Sequence, residues 1–421
     1  MSTADRAPKA ATASARTPVS SPVEWHEARR IAAAAAVPLV PIRVPLEAAA
    51  GRTLADDLHA LTDVPHYDSS AMDGWAVAGD PPWRLLGAAA NPPVLRAGEA
   101  RPIVTGGLVP AGIRGVLRSE HGVVSSIDGI RMLEPGPGAA GEPRPGQHIR
   151  GAGREARNGE RLIDAGRLLN PVHLALAAAG GHDELGVVAR PAVALLLTGA
   201  EVVTAGIPGP GRVRDSFGPS LPGVIASLGG TVIGVDRIGD DFDATVAELA
   251  AWASASASAT SPARAAPSLL LTTGGTGGSG SDHVRTALRA LGAEFLIGGL
   301  AVRPGGPALL ARLPGGLLVI GLPGNPLAAL LSLLTLAHPV IAAFQGLPLP
   351  ALGEVVLGAA VEAARSPTVL RPYRLHAGLA LPSDWHGSGM LRGLADADGV
   401  LVCPGAGAAG GDRVPALPIP W

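Results

Sequence analysis

The sequence predicts a multidomain α/β and β protein, in which a doubly wound α/β domain is accompanied by smaller, mainly β domains. Three observations support this fold class. Strands and helices alternate from residue 187 to residue 346, which is typical of a mainly parallel sheet covered on both faces. Short strands punctuated by Pro and Gly fill residues 63–145. Further short strands follow residue 346, and 421 residues are enough for several domains.

We predict four domains behind an N-terminal tail. The tail, residues 1–22, mixes Ala, Ser, Thr and Pro without an apolar core, so it reads as disordered and not as a signal peptide. The four domains are, in chain order, a mixed elongated domain I (23–62 and 146–186), a β domain II inserted in it (63–145), an α/β domain III (187–346) and a C-terminal β domain IV (347–421). Helical spacing in VEWHEARRIAAAAA and a glycine-terminated helix in VHLALAAAGG belong to domain I.

The α/β domain is predicted from its own alternation of segments. Its strands are AVALLLT, TVIGVD, SLLLTT and GLLVIG, and its helices are SLPGVIASLGG, DDFDATVAELAAWA, DHVRTALRALG and the apolar segment that follows Asn325. That last segment, LAALLSLLTLAHPVIAAF, contains His338-Pro339 and directly follows a strand, so a buried core helix is preferred to a membrane span. ASASASATSPARAAPS is predicted to be a surface loop.

Charge and cysteine content narrow the class of partners. A formal net charge of −2 and a pI near 6.6 provide no global field for nucleic acid or an anionic membrane, so any anion site must be local. The single cysteine, Cys403, excludes an intramolecular disulfide framework and a Cys-rich zinc site. A reducing compartment is therefore expected, with the cytoplasm as the default.

Chemically distinctive loops follow three strands of the α/β domain. Thr198, Gly199 and Glu201 follow the first, a loop rich in Gly and Thr leads to Asp282 after the second, and Pro-Gly-Asn-Pro at 323–326 follows the third. In a parallel sheet these loops share one edge, which is where a doubly wound domain builds its ligand site.

The residues of two of these loops are typical of an anion-binding site. Asn325 suits a helix N-cap, Pro326 the first helical position, and Gly324 lets the backbone approach a ligand closely. The free N–H groups of that helix and the backbone of TTGGTGG, with Gly274 and Gly275, could cradle phosphate or another oxyanion. Neither loop matches GxxxxGK[ST] or GxGxxG. A purely structural turn explains one such loop, but two at one edge beside Glu201 and Asp282 favour an anion site.

Carboxylates near the strand ends suit a magnesium ion that is held jointly with a phosphate. They are Glu201, Asp215, Asp240, Asp241 and Asp282. A helix-capping role for Asp240 or Asp241 remains equally open. Asp73 lies in a predicted turn, where an aspartate is usually structural. No Ser or His stands in a nucleophile setting, so covalent catalysis is not supported.

A series of motifs in this order resembles the MoeA family, the molybdopterin molybdenumtransferases that include the E domain of gephyrin. The motifs are DVPHYDSSAMDGWAV, TGGLVP, GQHIRGAGREARNGERLI, LLTGAEVV, RDS, TTGGTGG, VRPGGP and GLPGNP. The resemblance extends from about Val23 to the end of the chain. It implies that domain III is MoaB/MogA-like and that the protomer is L-shaped and dimeric, with the site in a cleft between domain III of one subunit and domain II of the other.

The implied reaction is Mg²⁺-assisted insertion of molybdate into adenylylated molybdopterin, with release of AMP. The dithiolene sulfurs would attack molybdenum, while the protein positions the anions and neutralises their charge. In line with the net charge, no nucleic-acid or membrane partner is expected, and the adenylyltransferase that makes the substrate is a candidate partner.

The resemblance also implies roles for individual positions. Asp73 and Thr105 would face the cleft from domain II, and Arg150 matches an arginine near the domain junction. Asp240, Asp282 and Arg303 would be catalytic, and Glu201 and Asp282 would hold the metal. The remaining substrate-binding positions would be Thr198, Gly274, Gly275, Pro323, Gly324, Asn325 and Pro326.

Several positions depart from the family pattern. Ala200 replaces an Asp beside Glu201, Phe217 replaces an Asn, and Arg154-Glu155 replace Glu-Asp. Gly299 and Gly306 replace two of three cations in the stretch that keeps Arg303. Because a charge-assisted hydrogen bond contributes about 1.5–3 kcal/mol, this loss could amount to several kcal/mol.

Two hypotheses follow from these departures. In the first, the protein is a working transferase, and arginines such as Arg212, Arg214 or Arg285 supply the missing charge. In the second, it is a weakened paralogue that binds a pterin or a partner protein. An unrelated nucleotide-binding α/β enzyme is a third. The surviving carboxylates favour the first, and a lack of cations near the TGGTGG and LPGNP loops would favour the second.

Overall fold

The computed structural model describes residues 21–87, 94–257, 265–277 and 282–421. The chain divides into two compact units. One contains the described residues up to Val40 together with Ala189–Trp421, and the other is the continuous segment Pro41–Val188. Most of the predicted N-terminal tail, the middle of the ASASASATSPARAAPS loop and part of the glycine-rich loop lie outside the described residues.

A six-stranded sheet organises the first unit. Its strands are, in spatial order, Thr231–Ile238, Ala192–Thr198, Leu269–Thr273, Leu318–Leu322, Leu309–Arg312 and Glu294–Ile297. The first four are parallel to one another. Leu309–Arg312 is antiparallel to both of its neighbours, Leu318–Leu322 and Glu294–Ile297. Long runs of Leu, Val and Ala suit these strands because both faces of the sheet are covered.

Helices cover the two faces of this sheet, and alternate residues of each strand contribute to separate cores. Leu195 and Leu271 belong to one core, which also receives side chains from helices Trp25–Ala34, Phe217–Ser227 and Pro326–Phe344. Leu196 and Leu270 belong to the other core, with helices Phe242–Ala257 and His283–Ala290. The sheet is therefore doubly wound, as the sequence predicts.

The apolar helix Pro326–Phe344 is long and hydrophobic enough to cross a membrane, with a mean hydropathy of 2.1, but 83% of it is buried inside the protein. It comprises Pro326–Ser332, a π-helical turn Leu333–Ala337 and His338–Phe344. Burial lowers the pKa of His338 to about 4, so this imidazole is neutral in the core. The prediction of a buried core helix is confirmed.

Helix Trp25–Ala34 packs against this apolar helix. Glu24 caps it by accepting a hydrogen bond from the His26 N–H. The buried Trp25 indole donates to the Thr335 hydroxyl at 3.0 Å. The buried Arg29 lies over the Trp25 ring and donates to the carbonyl of Pro350. Tertiary contacts thus attach this N-terminal helix to the α/β layer.

The C-terminal strands form a second sheet in the same unit. Its order is Val302–Arg303, Thr368–His376, Gly399–Pro404, Arg413–Pro418 and Gly353–Val356, with Leu379–Pro382 paired to Thr368–His376. Val302–Arg303 joins this sheet by parallel pairing with the start of Thr368–His376. A short helix, Arg392–Ala395, precedes strand Gly399–Pro404. Arg303 therefore lies where the α/β region meets the C-terminal strands.

The second unit is built around its own six-stranded sheet. The strands are, in spatial order, Gly115–Arg118, Gly74–Val77, Glu99–Ile103, Trp83–Leu85, Ile130–Pro135 and Gly122–Ile127. Strands Gly122–Ile127 and Ile130–Pro135 form a hairpin whose turn residues, Asp128 and Gly129, both have positive φ.

Short strand pairs and two helices complete this unit. The pairs are Pro41–Pro45 with Glu184–Val188, Leu58–His59 with Arg161–Ile163, and Ser69–Ser70 with Ile149–Arg150. The helices are Leu46–Ala49 and Pro171–Ala179, and a 3₁₀ turn spans Ser119–His121. The predicted fold class, α/β with additional β domains, is confirmed, while the finer division into four domains stays a prediction.

Candidate functional site

The three chemically distinctive loops meet at one edge of the parallel sheet. Leu197 is paired with Thr273, and Thr273 is paired with Leu322, so these strands end at the same level. The Gly274 N–H donates to the carbonyl of Leu322 at 2.9 Å, which ties the glycine-rich loop to the LPGNP loop. The prediction of a shared sheet edge is confirmed.

Close contacts explain why glycine begins the glycine-rich loop. Gly274 and Gly275 have φ values of +77° and +61°, which glycine adopts at little cost. A Cβ on Gly274 would lie 2.7 Å from the Thr198 hydroxyl, which donates to the Thr273 carbonyl at 2.6 Å. Thr198 therefore orders the start of this loop.

These loops surround a cavity of about 750 Å³, which we call the strand-edge cavity. It brings together most of the predicted site. The predicted residues that line it are Thr198, Glu201, Asp240, Gly274, Gly275, Asp282, Pro323, Gly324, Asn325 and Pro326. Arg214, Asp215 and Pro307 also contribute to its wall.

The aspartates at 240 and 241 have different roles. Asp240 lines the cavity and accepts a hydrogen bond from the Ala200 N–H at 3.1 Å, which positions the residue next to Glu201. Asp241 accepts from the Ala244 N–H at 2.7 Å, at the start of helix Phe242–Ala257. The structure thus assigns the capping role to Asp241 and leaves Asp240 at the site.

Asp215 is buried in the cavity wall and forms a partly exposed ionic contact there. Its carboxylate accepts from the N–H groups of Phe217 and Gly218, both at 3.0 Å, and pairs with Arg237. Burial by itself raises the pKa of Asp215, but the hydrogen bond from Gly218 and the contacts with Arg237 outweigh burial and lower it. Asp215 is therefore a structural anion at this edge.

The helix that starts at Pro326 differs in one respect from the sequence interpretation. Asn325 occupies the N-cap position and Pro326 the first helical position, as predicted, but the Asn325 side chain makes no capping hydrogen bond. The Ala328 N–H donates to the carbonyl of Ser388 at 3.0 Å. The prediction that this helix presents free N–H groups is wrong for Ala328, because a loop of the C-terminal region satisfies it. The Asn325 amide instead lies in the cavity wall.

A second cavity, of about 680 Å³, adjoins the first. Pro307, Pro323 and Asn325 line both cavities. Three arginines line the second cavity, together with His386 and Glu362; they are Arg303, Arg365 and Arg371. We call it the arginine cavity. Arg303, which the sequence placed with Asp240 and Asp282, lines this cavity and not the strand-edge cavity.

Arg371 has an unusual set of contacts in the arginine cavity. One of its terminal nitrogens lies 2.7 Å from Nε2 of His386. Its Nε atom is buried and has no hydrogen-bond partner within the described residues. A buried donor without a partner is costly, so this guanidinium is suited to an additional acceptor. Sequence reasoning missed Arg365, Arg371 and His386 because no motif connects them to the loops of the α/β region.

The three arginines suggested as replacement cations all donate to backbone carbonyls, and one of them lines the strand-edge cavity. Arg214 lines the strand-edge cavity, and its guanidinium donates to the Val203 carbonyl at 3.1 Å. Arg212 donates to the carbonyl of Ala200. Arg285 donates to three carbonyls, those of Gly298, Thr276 and Pro307, and therefore acts as a structural clamp.

The other unit contains the remaining predicted residues. Asp73 accepts from the Thr105 N–H at 2.6 Å and from the Thr105 hydroxyl at 2.9 Å. These two hydrogen bonds hold the pKa of Asp73 below its usual value. Arg150 lines a separate cavity of about 580 Å³, with His148, Arg154 and Glu155. Asp73 and Thr105 thus form one small polar cluster, and Arg150 lies outside it.

The carboxylates of the strand-edge cavity fit a magnesium ion that is shared with a substrate phosphate. Within the described ranges, no group of three or more His, Cys, Asp or Glu side chains is arranged to hold a metal ion by itself. Mg²⁺ usually keeps several waters and uses one or two carboxylates plus substrate phosphates. Glu201 and Asp282 provide oxygen donors of this kind in the cavity wall.

The fold and site define a class: a multidomain protein with a doubly wound α/β domain and two adjoining polar cavities, one with carboxylates and one with arginines. Comparison with known sequences identifies the family. A family model described as the MoeA N-terminal region (domain I and II) matches residues 23–181, and one described as a probable molybdopterin binding domain matches residues 194–343.

Relatives that match over most of the chain agree with these assignments. Molybdopterin molybdenumtransferase 2 of Mycobacterium tuberculosis is 30% identical over 390 residues, which cover 86% of this chain and 91% of the relative. Molybdopterin molybdenumtransferase of Synechococcus elongatus is 35% identical over 316 residues, which cover 71% and 74%. The crystal structure of a molybdopterin biosynthesis MoeA protein from Pyrococcus horikoshii superposes with a TM-score of 0.74 at 26% identity, covering 94% of this chain and 99% of that one. The chain belongs to the molybdopterin molybdenumtransferase family.

Proposed function

We propose that this protein is a working molybdopterin molybdenumtransferase that inserts molybdate into adenylylated molybdopterin and releases AMP. The relatives with this name match this chain over most of their own length. The observation that carries the proposal is the pair of adjoining cavities with a shared wall at Pro307, Pro323 and Asn325. Two anionic substrates must meet in this reaction, and two polar cavities in contact provide places for both.

The strand-edge cavity is proposed to bind the adenylylated pterin. Its glycine-rich loop and LPGNP loop bring backbone close to a ligand, and Glu201 and Asp282 would hold Mg²⁺ against the phosphate groups. Bound Mg²⁺ would neutralise phosphate charge and so assist departure of AMP. Asp240 would keep Ala200 and Glu201 in place through its hydrogen bond to the Ala200 N–H.

The arginine cavity is proposed to bind molybdate. Among the described residues, Arg303, Arg365 and Arg371 line it, together with one carboxylate, that of Glu362. Guanidinium groups bind tetrahedral oxyanions well because their donors form a planar fork. A molybdate held there would face the dithiolene of a pterin across the shared wall, and positioning of the two reactants would supply most of the rate enhancement.

This arrangement supplies charge near one of the two positions, Gly299 and Gly306, at which this chain lacks a cation of the family pattern. Gly306 lines the arginine cavity, so a cation is missing from that wall. Arg365 and Arg371, from the C-terminal β region, bring cations to the same cavity. This local charge supports a working enzyme over the weakened-paralogue hypothesis.

The active form is proposed to be a cytoplasmic homodimer. The family resemblance supports this, since it implies that Asp73 and Thr105 of one subunit face the cleft of the other. The adenylyltransferase that makes the substrate is the proposed partner. Light scattering on the purified protein measures the mass: a monomer at assay concentration would contradict the dimer.

The proposed function is tested by an assay with purified protein, adenylylated molybdopterin, molybdate and Mg²⁺, which follows AMP release and formation of active cofactor. Asp282→Ala and Arg303→Ala should each lower turnover by about 100-fold or more, because each removes a charged group at the reacting anions. Chelation of Mg²⁺ should stop AMP release.

Matched controls come from charged side chains outside both cavities. Asp243→Ala, in the first turn of helix Phe242–Ala257, and Arg374→Ala, in strand Thr368–His376, should keep nearly full activity. Absence of turnover in a folded wild-type protein, beside an active family member, would refute the proposal.

A further inference from the structure

The wall of the strand-edge cavity has one aromatic member among the described residues, Phe217. Phe217 is the first residue of helix Phe217–Ser227 and is half-buried. Its side chain packs in part against the core on one face of the central sheet, and the residue also lines the cavity. A flat apolar group therefore stands in this wall at the position where the family pattern has the amide of an Asn.

Two valines add apolar surface to the same cavity. Val202 and Val213 both line it, and they are paired with each other in a short parallel ladder. Val213 is 50% exposed. A Cβ on Gly199 would lie 2.8 Å from Cγ2 of Val202, so the glycine lets this valine pack closely on the first loop. We call Val202, Val213 and Phe217 the apolar wall.

Hydrogen bonds hold the backbone of the apolar wall in place. The Phe217 N–H donates to the Asp215 carboxylate at 3.0 Å, and that carboxylate is paired with Arg237. The Asp215 N–H donates to the carbonyl of Val203 at 2.9 Å, which ties the start of the helix to the valine ladder. A surface that is already ordered loses little conformational entropy when a ligand binds. The apolar wall is therefore preorganised.

The remainder of the cavity suits charged groups. It contains the start of the glycine-rich loop, the LPGNP loop and the carboxylates of Glu201 and Asp282. Ligand pockets commonly combine apolar and aromatic surface with a few polar groups that fix the orientation of the ligand. A ligand that fills both parts of this cavity has a flat aromatic ring joined to a phosphate. Such a ring gains from stacking on an aromatic side chain beyond the area that it buries.

We propose that the apolar wall, with Phe217 as its stacking surface, binds a heteroaromatic ring of a phosphate-bearing ligand and is a determinant of specificity for that ring. The inference rests on the proposed function, which places adenylylated molybdopterin in this cavity. That substrate has two such rings, adenine and the pterin, and either can stack because stacking requires only a π-face. Phe217 is a specificity-determining residue and takes no part in group transfer.

The test is isothermal titration calorimetry of the full-length protein with three probes that share a phosphate. They are AMP, neopterin monophosphate and ribose 5-phosphate, of which the last has no aromatic ring. We expect AMP, neopterin monophosphate or both to bind about 5- to 100-fold more tightly than ribose 5-phosphate, the range that stacking of a base on an aromatic side chain supplies.

Phe217→Leu is the decisive variant, because leucine can still pack on the core but has no π-face. It should lose most of the preference for the ring-bearing probe. Its affinity for ribose 5-phosphate should stay unchanged, which shows that the cavity is intact. Phe217→Tyr should retain the preference. The probe that loses affinity identifies the ring: AMP indicates adenine, and neopterin monophosphate indicates the pterin.

Phe242→Leu is the matched control. Phe242 is the first residue of helix Phe242–Ala257, as Phe217 is of its own helix, and it is 38% exposed. It is not among the described residues that line the strand-edge cavity. Phe242→Leu should therefore bind all three probes like the wild type.

Three results would overturn the inference: equal affinity of the wild type for the three probes, an unchanged preference in Phe217→Leu, or an equal loss in Phe242→Leu. An absence of binding of both ring-bearing probes would also overturn it. None of these results requires turnover, so the AMP-release assay judges the proposed function separately. A protein that prefers the ring-bearing probe but releases no AMP would refute the proposed function and leave the apolar wall as a ring-binding site.

Discussion

Arg285 shows how a charged residue near this site can hold the backbone of neighbouring loops in place. Its guanidinium donates to the carbonyls of Gly298, Thr276 and Pro307, at 2.6, 3.2 and 3.2 Å. Thr276 belongs to the glycine-rich loop, and Pro307 lies in the wall that both cavities share. The clamp therefore connects the loops whose relative position defines the two cavities, although Arg285 lines neither.

Replacement of this clamp should destabilise the protein more than loss of a surface arginine. We expect Arg285→Ala to lower the free energy of unfolding by about 2–3 kcal/mol, because partly buried carbonyls lose a charged donor. The shift of the urea midpoint measures this.

Arg289→Ala is the matched control for the clamp. Arg285 and Arg289 both lie over the Phe295 ring, at 5.9 and 5.4 Å from its centroid, and Arg289 is one turn further along helix His283–Ala290. Its loss should cost less than about 1 kcal/mol. Equal losses in the two variants would contradict the clamp.

The N-terminus of helix Phe217–Ser227 is capped by the side chain of a residue other than the N-cap residue. Ser216 occupies the N-cap position but makes no side-chain capping bond, and Asp215 accepts from the first two helical N–H groups instead. Arg237, at the end of the neighbouring strand Thr231–Ile238, completes the contact. One carboxylate thus couples a helix start to a strand end beside the strand-edge cavity.

Loss of this cap should produce a pH-dependent loss of stability. At neutral pH, Asp215→Asn should cost about 1–2 kcal/mol. Because folding lowers the pKa of Asp215, its contribution is complete above the unfolded-state pKa of about 4. It disappears as the pH falls through the lower folded-state pKa. Urea unfolding at a series of pH values measures the difference between the two proteins. A difference that stays constant down to strongly acidic pH would contradict this assignment.

At the scale of the whole molecule, one unit is a continuous insertion in the other. The segment Pro41–Val188 begins and ends in adjacent antiparallel strands, with Pro41 paired to Val188. The chain therefore enters and leaves this unit at one place. The unit has its own cores, one of which contains Val77, Trp83, Leu117 and Leu133. These are the features of a segment that folds by itself.

We therefore expect residues 41–188, expressed alone, to fold cooperatively. The measurement is thermal unfolding followed by circular dichroism, with near-ultraviolet signal from the buried Trp83 as evidence of fixed packing. Trp83→Ala in the same fragment should abolish or strongly lower the transition, since truncation of a buried tryptophan costs about 3–5 kcal/mol. A fragment without a cooperative transition would show that the unit depends on the rest of the chain.

The doubly wound sheet and the shared edge of its three loops could be predicted from the sequence alone. Hydrophobic runs specify buried strands, and parallel strands bring their carboxyl ends to one edge, so Thr198, Gly274 and Asn325 could be placed together without coordinates. It could not distinguish Asp240 from Asp241 as the helix cap, because both precede the helix and both suit the role. Only backbone geometry at the helix start decides between them.

The composition of the arginine cavity depends on long-range packing that the sequence does not reveal. Arg303 and Arg371 are far apart along the chain and meet because Val302–Arg303 pairs with the start of strand Thr368–His376. The loop that carries His386 is held nearby, since its Ser388 carbonyl accepts from the Ala328 N–H. Such long-range pairing leaves no local periodicity or motif, because each segment forms its contacts with residues remote in sequence. The strand-edge cavity follows from local pattern and sheet topology, whereas the arginine cavity exists only where the C-terminal strands pack against the α/β domain.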